Sequence, residues 1–175
     1  MGLGYVCDPR TNCHYEIVAD TIHVSDDITE EDIQKLTHVF YTWVRKDDLL
    51  GPIFNGKIGT SDKDWEPHIE KINNFWSNIF LRTGRYHGQP LSKHIGFPTM
   101  SPKHFTRWLE LFDKAGAKAL APHKHERFNQ TAKRIAQSFQ MALAVHYSQK
   151  EGVSDADNPF IDFGIRRPSW AHKKD

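Results

Sequence analysis

An all-α fold is what this chain predicts, on three observations. Apolar residues recur at helical spacing through most of the central region, and no stretch alternates with the two-residue period of a strand for a useful length. Glycine, proline and small polar residues fall between the periodic stretches, where caps and connections belong. At 175 residues the chain has the length of about one domain and can bury a core without help from disulfides.

Residues 1–25 are polar and mixed, without a sustained period, and read as an N-terminal extension. The character changes at Ser25-Asp26-Asp27-Ile28-Thr29. Thr29 is a suitable N-cap, Glu30, Glu31 and Asp32 suit the first turn, and Ile33, Leu36, Phe40 and Val44 share one face of a helix of about four turns. The run Leu49 to Gly56, with Gly51 and Pro52, is expected to break it. A second helix is predicted from near Asp64 to about Arg82, with His68, Ile72, Phe75 and Trp76 on one face and Pro67 in its first turn. Gly84, Gly88 and Pro90 then impose an irregular connection, and a short helix around Leu91 to Ile95 closes at Gly96 and Pro98. Ser101 and Pro102 open the next helix, whose stripe is Phe105, Trp108, Leu109 and Phe112 and whose expected end is Gly116. After Pro122 a long helix is expected to carry Ile135, Phe139, Ala142, Leu143 and Val145 or His146 along its buried side and to fade near Tyr147. Four principal helices and one short segment within residues 26–150, followed by a C-terminal extension over 151–175, make up the expected organisation.

Composition narrows the function. Lys and Arg number 23 against 22 Asp and Glu, so the positive field of a general nucleic-acid binder is missing and no nucleic-acid partner is expected. The two cysteines, Cys7 and Cys13, exclude a disulfide framework. No apolar run approaches the roughly 20 residues of a membrane helix, and the start MGLGYVCDPR has neither a leader pattern nor, with Val6 at its sixth position, a myristoylation signal. No membrane insertion is therefore expected, and a cytoplasmic protein is the simplest expectation. Eleven histidines direct attention to metal or haem ligation.

Four residues stand out. Tyr41 lies on the inner side of the first helix, His68 heads the stripe of the second, Trp108 is central in the third long helix, and His94 sits alone in the short segment. Singly, each is more often a satisfied core residue than a functional one. Together, Tyr41, His68 and Trp108 bring three hydrogen-bonding side chains inward from three helices, and burying them without partners is costly. A polar ligand between them, on a metal held from the other side by His94, supplies those partners.

The stretch from VFYTWVRKDDLLGPIFNGKIGTSDKDWEPHIEKINNFW through TGRYHGQPLSKHIGFP to HFTRWLELF resembles a group III truncated haemoglobin of bacteria, over roughly residues 28 to 149. GPIF, W-x-x-H before a helix with FW, TGRYHGQPLxxH and FxxWL occur in the family's order. The resemblance implies a truncated globin, a two-over-two helical sandwich around haem. It implies that His94 is the proximal iron ligand and Phe54 stacks on the haem. Tyr41, His68 and Trp108 correspond to the distal tyrosine, gate histidine and tryptophan, with Ile72 and Trp76 lining the pocket. Apolar spacing adds Phe75, Leu91, Ile95, Phe97 and Phe105 as cofactor contacts.

No Cys-x-x-Cys-His is present, so the expected cofactor is a non-covalent haem b; Lys93, Arg85 and Tyr86 are candidate partners for its propionates. The expected partners are O2 and other diatomic ligands. Donors aimed at a ligand that gains negative charge strengthen its binding in a dry pocket, which favours O2/NO or peroxide chemistry dependent on an external reductase. No flavin or nicotinamide fingerprint occurs in the chain. Reversible O2 binding for storage or sensing is the alternative, and a haem-free helical bundle that packs on another protein is a third. His123, His125 and Glu126 are too close in sequence for one helix face, and Cys7, Cys13 and His14 lack a fourth ligand, so neither group makes a convincing metal site. His87 in the glycine-flanked loop and His104 in a first turn expected to face water are weaker iron ligands. Oligomeric state is open, although nothing suggests a coiled-coil seam.

Overall fold

A computed structural model describes residues 27–95, 100–149 and 158–160, with only the backbone of residue 95. Among the described residues there are six helices and no strand: α1 (Glu30–Val44), α2 (Gly51–Ile58), α3 (Asp62–Leu81), α4 (Pro90–Ile95), α5 (Pro102–Ala119) and α6 (Pro122–Gln149). α1 packs on α3 and on α5, and α5 packs on α6, which is a two-over-two helical sandwich; α4 lies against α6 and α2 against α3.

The capping chemistry starts α1 where expected. The Thr29 side chain accepts from the Asp32 backbone N–H, and the Asp32 carboxylate accepts from the Thr29 N–H at 2.9 Å. Ile33, Leu36, Phe40, Tyr41 and Val44 are buried, and so is Thr37, whose hydroxyl donates to Asn73 Oδ1 of α3 at 2.6 Å. The centre of the core is aromatic. Phe112 receives the edge of Phe40 at 5.2 Å and the face of Trp76 at 5.3 Å, while Trp76 also meets Phe128 at 5.5 Å. Full burial of each such ring contributes about 1.5–3 kcal/mol, so this cluster outweighs any single polar contact in the fold.

Three boundaries differ from the sequence expectation. Gly51 and Pro52 begin a helix instead of ending one. The Asp47 carboxylate accepts the N–H groups of Leu49 and Leu50, and proline suits a first turn whose N–H groups have no helical partner. Gly51 is needed for packing, since a Cβ there would lie 3.0 Å from the Arg45 carbonyl oxygen. Ser61 caps α3, which therefore starts at Asp62, two residues early, and Pro67 falls in its second turn. There the ring removes the hydrogen bond that Lys63 O would otherwise accept. Gly116 lies inside α5, buried against the His125 ring, and the helix runs on until Leu120 turns extended ahead of Pro122.

A second apolar cluster joins Phe105, Phe139, Leu143, Ala144 and Phe160. Phe160, beyond the end of α6, is fully buried, and Asn158 Nδ2 donates to Ala144 O at 3.3 Å. No described helix is long and apolar enough to cross a membrane.

Candidate functional site

Phe40 and Tyr41 are adjacent on α1, yet both rings turn inward, Phe40 to the centre and Tyr41 towards α2 and α3. Tyr41 is buried, with Phe54 of α2 at 6.3 Å and Trp65 and His68 of α3 at 5.9 and 5.6 Å between ring centroids. Burial pushes its phenol far above the ordinary tyrosine value, so the hydroxyl keeps its proton. No hydrogen bond to that hydroxyl forms among the described residues.

His68 stands edge-on to both Tyr41 and Trp65, at interplanar angles of 87° and 85°. Its Nε2 is buried and has no hydrogen-bond partner among the described residues. Burial, reinforced by Lys71 and by His94, draws its pKa down to about 4, so the ring is neutral near pH 7.

His94 is fixed by its own helix. Its Nδ1 lies 2.7 Å from Pro90 O, and its ring meets Phe139 of α6 at 4.7 Å. A carbonyl only accepts, so Nδ1 carries the proton in this contact and a metal would meet Nε2. Burial lowers the pKa of His94, with the Pro90 bond acting in the opposite direction. A neutral imidazole oriented by a carbonyl is the usual arrangement of a metal-ligating histidine.

Trp108 of α5 stacks on Phe112 at 5.0 Å and meets Phe40 at 5.3 Å, and Phe40 in turn meets Tyr41 at 4.8 Å. Phe54 stacks with Trp65 at 6.3 Å. Ile72 and Phe75 are half-buried along α3 and Leu91 is half-buried on α4. Trp76 lies in the main core, against Phe80, Phe112 and Phe128, and none of its ring contacts reaches Tyr41 or His68. Phe105 belongs to the second cluster and meets Phe160 at 6.1 Å; Phe139 links that cluster to His94. Phe97 and the side chain of Ile95 lie outside the described residues.

The other candidates are engaged elsewhere. His104 is buried, contrary to the expectation that it faces water, because its Nδ1 accepts from the Ser101 N–H at 3.1 Å and closes the first turn of α5. His125 bonds Asp113 at 2.9 Å, and His87 is exposed. Among the described residues no three His, Cys, Asp or Glu side chains gather as a metal site. Arg85 pairs with Glu30, which also accepts from Ser77 at 2.6 Å, while Tyr86 packs on Phe75 at 5.2 Å and Lys93 is exposed. Two open grooves of about 490 and 360 Å³ run along α6; the smaller touches Phe75 and Phe139 and so reaches the edge of the His94 side.

Sequence reasoning missed Trp65, Phe139 and Arg45. The signal for Trp65 was its position three residues before His68, on the same helix face. Phe139 and Arg45 meet their partners only across elements, and nothing local marks them.

The donor set suits a metal-bearing group: an oriented imidazole can ligate it, and further polar side chains can meet a ligand. One neutral histidine is oriented on α4, a second presents an unpartnered buried nitrogen from α3, and a protonated tyrosine stands beside it. A buried nitrogen without a partner, such as His68 Nε2, costs about 1–3 kcal/mol, so its placement favours a bound species over packing.

Comparison with known proteins agrees with this geometry. The chain is 44% identical over 116 residues to the group 3 truncated hemoglobin ctb of Campylobacter jejuni, covering 66% of this chain and 91% of that protein. The crystal structure of the group III truncated hemoglobin from Campylobacter jejuni superposes with a TM-score of 0.64 and 43% identity, over 66% of this chain and 91% of that one. No family model matches the chain.

Proposed function

The chain belongs to the group 3 truncated hemoglobin family, and from that premise we propose that it holds a b-type haem on His94 and binds O2 and other diatomic ligands, CO, NO and cyanide among them, beside Tyr41 and His68. Haem held there would supply a redox-active Lewis acid able to take up the diatomic ligand. The observation that carries the reading is the pair of histidines: one oriented by its own carbonyl, the other with a buried, unpartnered Nε2 and its ring edge-on to Tyr41.

Each residue has a distinct task. Pro90 O holds the His94 ring and its proton on Nδ1. Burial keeps the Tyr41 hydroxyl protonated, a donor at any physiological pH. His68 is neutral at pH 7 and donates or accepts according to its tautomer. Phe40, Phe54, Trp65 and Trp108 exclude water, which strengthens every hydrogen bond made inside. Trp108 meets Phe40 at 5.3 Å, and its proposed part is to donate its indole N–H to a bound ligand. One hydrogen bond to a charged acceptor is worth about 1.5–3 kcal/mol, or roughly ten- to a hundredfold in release rate. A ligand so retained is available for reaction, which favours O2/NO or peroxide chemistry with an external reductase over plain delivery.

Absorption spectra of the purified chain, ferric, reduced and CO-bound, test the reading beside His94→Ala. One haem per chain with a histidine-type CO band is expected, with stoichiometric uptake lost in the variant. Unchanged haem binding by His94→Ala would exclude His94 as the ligand.

A further inference from the structure

The distal histidine carries a physical difficulty. An imidazole whose buried Nε2 has no protein partner gains a hydrogen bond by turning out to water, so something must hold His68 inward. Two edge contacts oppose that motion, from Tyr41 at 5.6 Å and Trp65 at 5.5 Å. Tyr41 is part of the wall that receives the ligand. Trp65 has no proposed contact with ligand or haem, and its ring is held on several sides.

The Trp65 indole N–H donates to Gly59 O at 2.9 Å. Gly59, at φ 114°, ends α2 in a conformation that favours glycine, which aims its carbonyl. On the outside, the Arg45 guanidinium sits 5.2 Å from the Trp65 ring and is itself tied to Asp62 Oδ1 at 2.6 Å and Thr60 O at 2.9 Å. Phe54 stacks on the ring at 6.3 Å, 25° from parallel. A tryptophan with only 2% exposure, bonded and clamped in this way, is a rigid stop for the side chain three residues along its helix.

We propose that Trp65 is a positioning residue of the distal site: pinned by Gly59 and Arg45, it holds the His68 imidazole against Tyr41 and so restrains ligand entry. This rests on the haem reading above. Pro67, between the two residues, stiffens the turn that connects them.

The test uses the haem-loaded full chain with CO as probe. Haem stoichiometry, the CO association rate after flash photolysis and the infrared CO stretch are compared for wild type, His68→Ala, Trp65→Phe, Trp65→Leu, Arg45→Met and the double variant Trp65→Leu/His68→Ala. Trp65→Leu is expected to speed association roughly two- to tenfold, the factor that loss of one aromatic edge contact gives, and to split the CO band. Trp65→Phe and Arg45→Met should shift both readouts the same way by less, and Trp65→Leu should add nothing in the His68→Ala background. If Trp65→Leu fails to load haem, Trp65→Phe decides. Wild-type rate and band in the loaded Trp65 variants, a silent His68→Ala, or an undiminished Trp65→Leu effect without His68 would each overturn the proposal. A wild-type chain that takes up no haem would instead overturn the haem reading, and this inference with it.

Discussion

Tyr41 and His68 are placed where packing alone would prefer phenylalanine and leucine. A buried hydroxyl without a partner costs about 1–3 kcal/mol, so Tyr41→Phe should leave thermal stability unchanged or slightly raised in the haem-free chain. Its effect is expected in the loaded protein, as O2 release faster by roughly ten- to a hundredfold, measured by stopped-flow displacement. Equal release rates would remove Tyr41 from the ligand site. His68 makes a pH prediction whose sign follows from its depressed pKa. Between the ordinary value of 6.5 and about 4, the unfolded chain takes up a proton that the folded chain refuses. Its contribution to stability is complete above that window, declines as the pH falls through it, and changes no further below. Urea unfolding should therefore show lower stability at pH 5 than at pH 7, and His68→Gln should narrow the gap. His94 and His104, both lowered chiefly by burial, add to the same slope. Tyr41 and His68 were visible in the sequence as polar residues on apolar stripes and His94 as a lone histidine in a short segment; the burial of His104 was not, because a capping role in a first turn depends on the Ser101 backbone and not on periodicity.

Helix ends separate what local pattern reveals from what it hides. Proline marks the start of α2, α5 and α6, while Pro67 lies inside α3 and Gly116 inside α5. A glycine reads the same in the sequence whether it ends a helix or makes room for a neighbour, and only the neighbour decides. The two cases predict opposite outcomes for one substitution. Gly56 of α2 has nothing near its missing Cβ, so Gly56→Ala should stabilise by about 0.5–1 kcal/mol through the unfolded chain's entropy. A Cβ on Gly116 would clash with the His125 ring, which is held by Asp113 at 2.9 Å, so Gly116→Ala should destabilise by about 1–3 kcal/mol. Thermal unfolding of the pair checks both, and a stabilised Gly116→Ala would show that His125 moves aside at little cost. The expected break at GPIF failed for a related reason: Asp47, four residues before Gly51, supplies the acceptor that starts α2, and it is in turn held by Arg107 of α5 at 2.8 Å.

Across the whole molecule, the piece of the C-terminal extension that is described belongs to the core. Phe160 is fully buried against Phe105 and Tyr147, and Phe139 carries that cluster to His94. Phe160→Ala should cost about 3–5 kcal/mol, measured by chemical unfolding, and a change within about 0.5 kcal/mol would show that the residue does not pack in solution. The loss should also weaken haem retention, since the cluster backs the ring of His94. On further acidification, the carboxylates take over from the histidines. Burial raises Asp32 and Asp47, but hydrogen bonds win: Lys124 and Thr29 hold Asp32 low, and the Leu50 and Leu49 amides with Arg107 hold Asp47 low.

The all-α class and the four long helices were legible in the chain, because helical periodicity is a local property, and the order of the family motifs pointed in the same way to His94, Tyr41, His68 and Trp108 as candidates. Packing between elements was needed to reveal that α2 is a helix, that the Trp76 ring meets Phe80, Phe112 and Phe128, that Trp65 meets His68 edge-on and that Phe105 and Phe160 share a second core. Each of these depends on which side chain arrives from another element, through distances of a few ångströms between residues far apart in the chain. Periodicity places a residue on a face; packing and hydrogen bonding determine what that face meets.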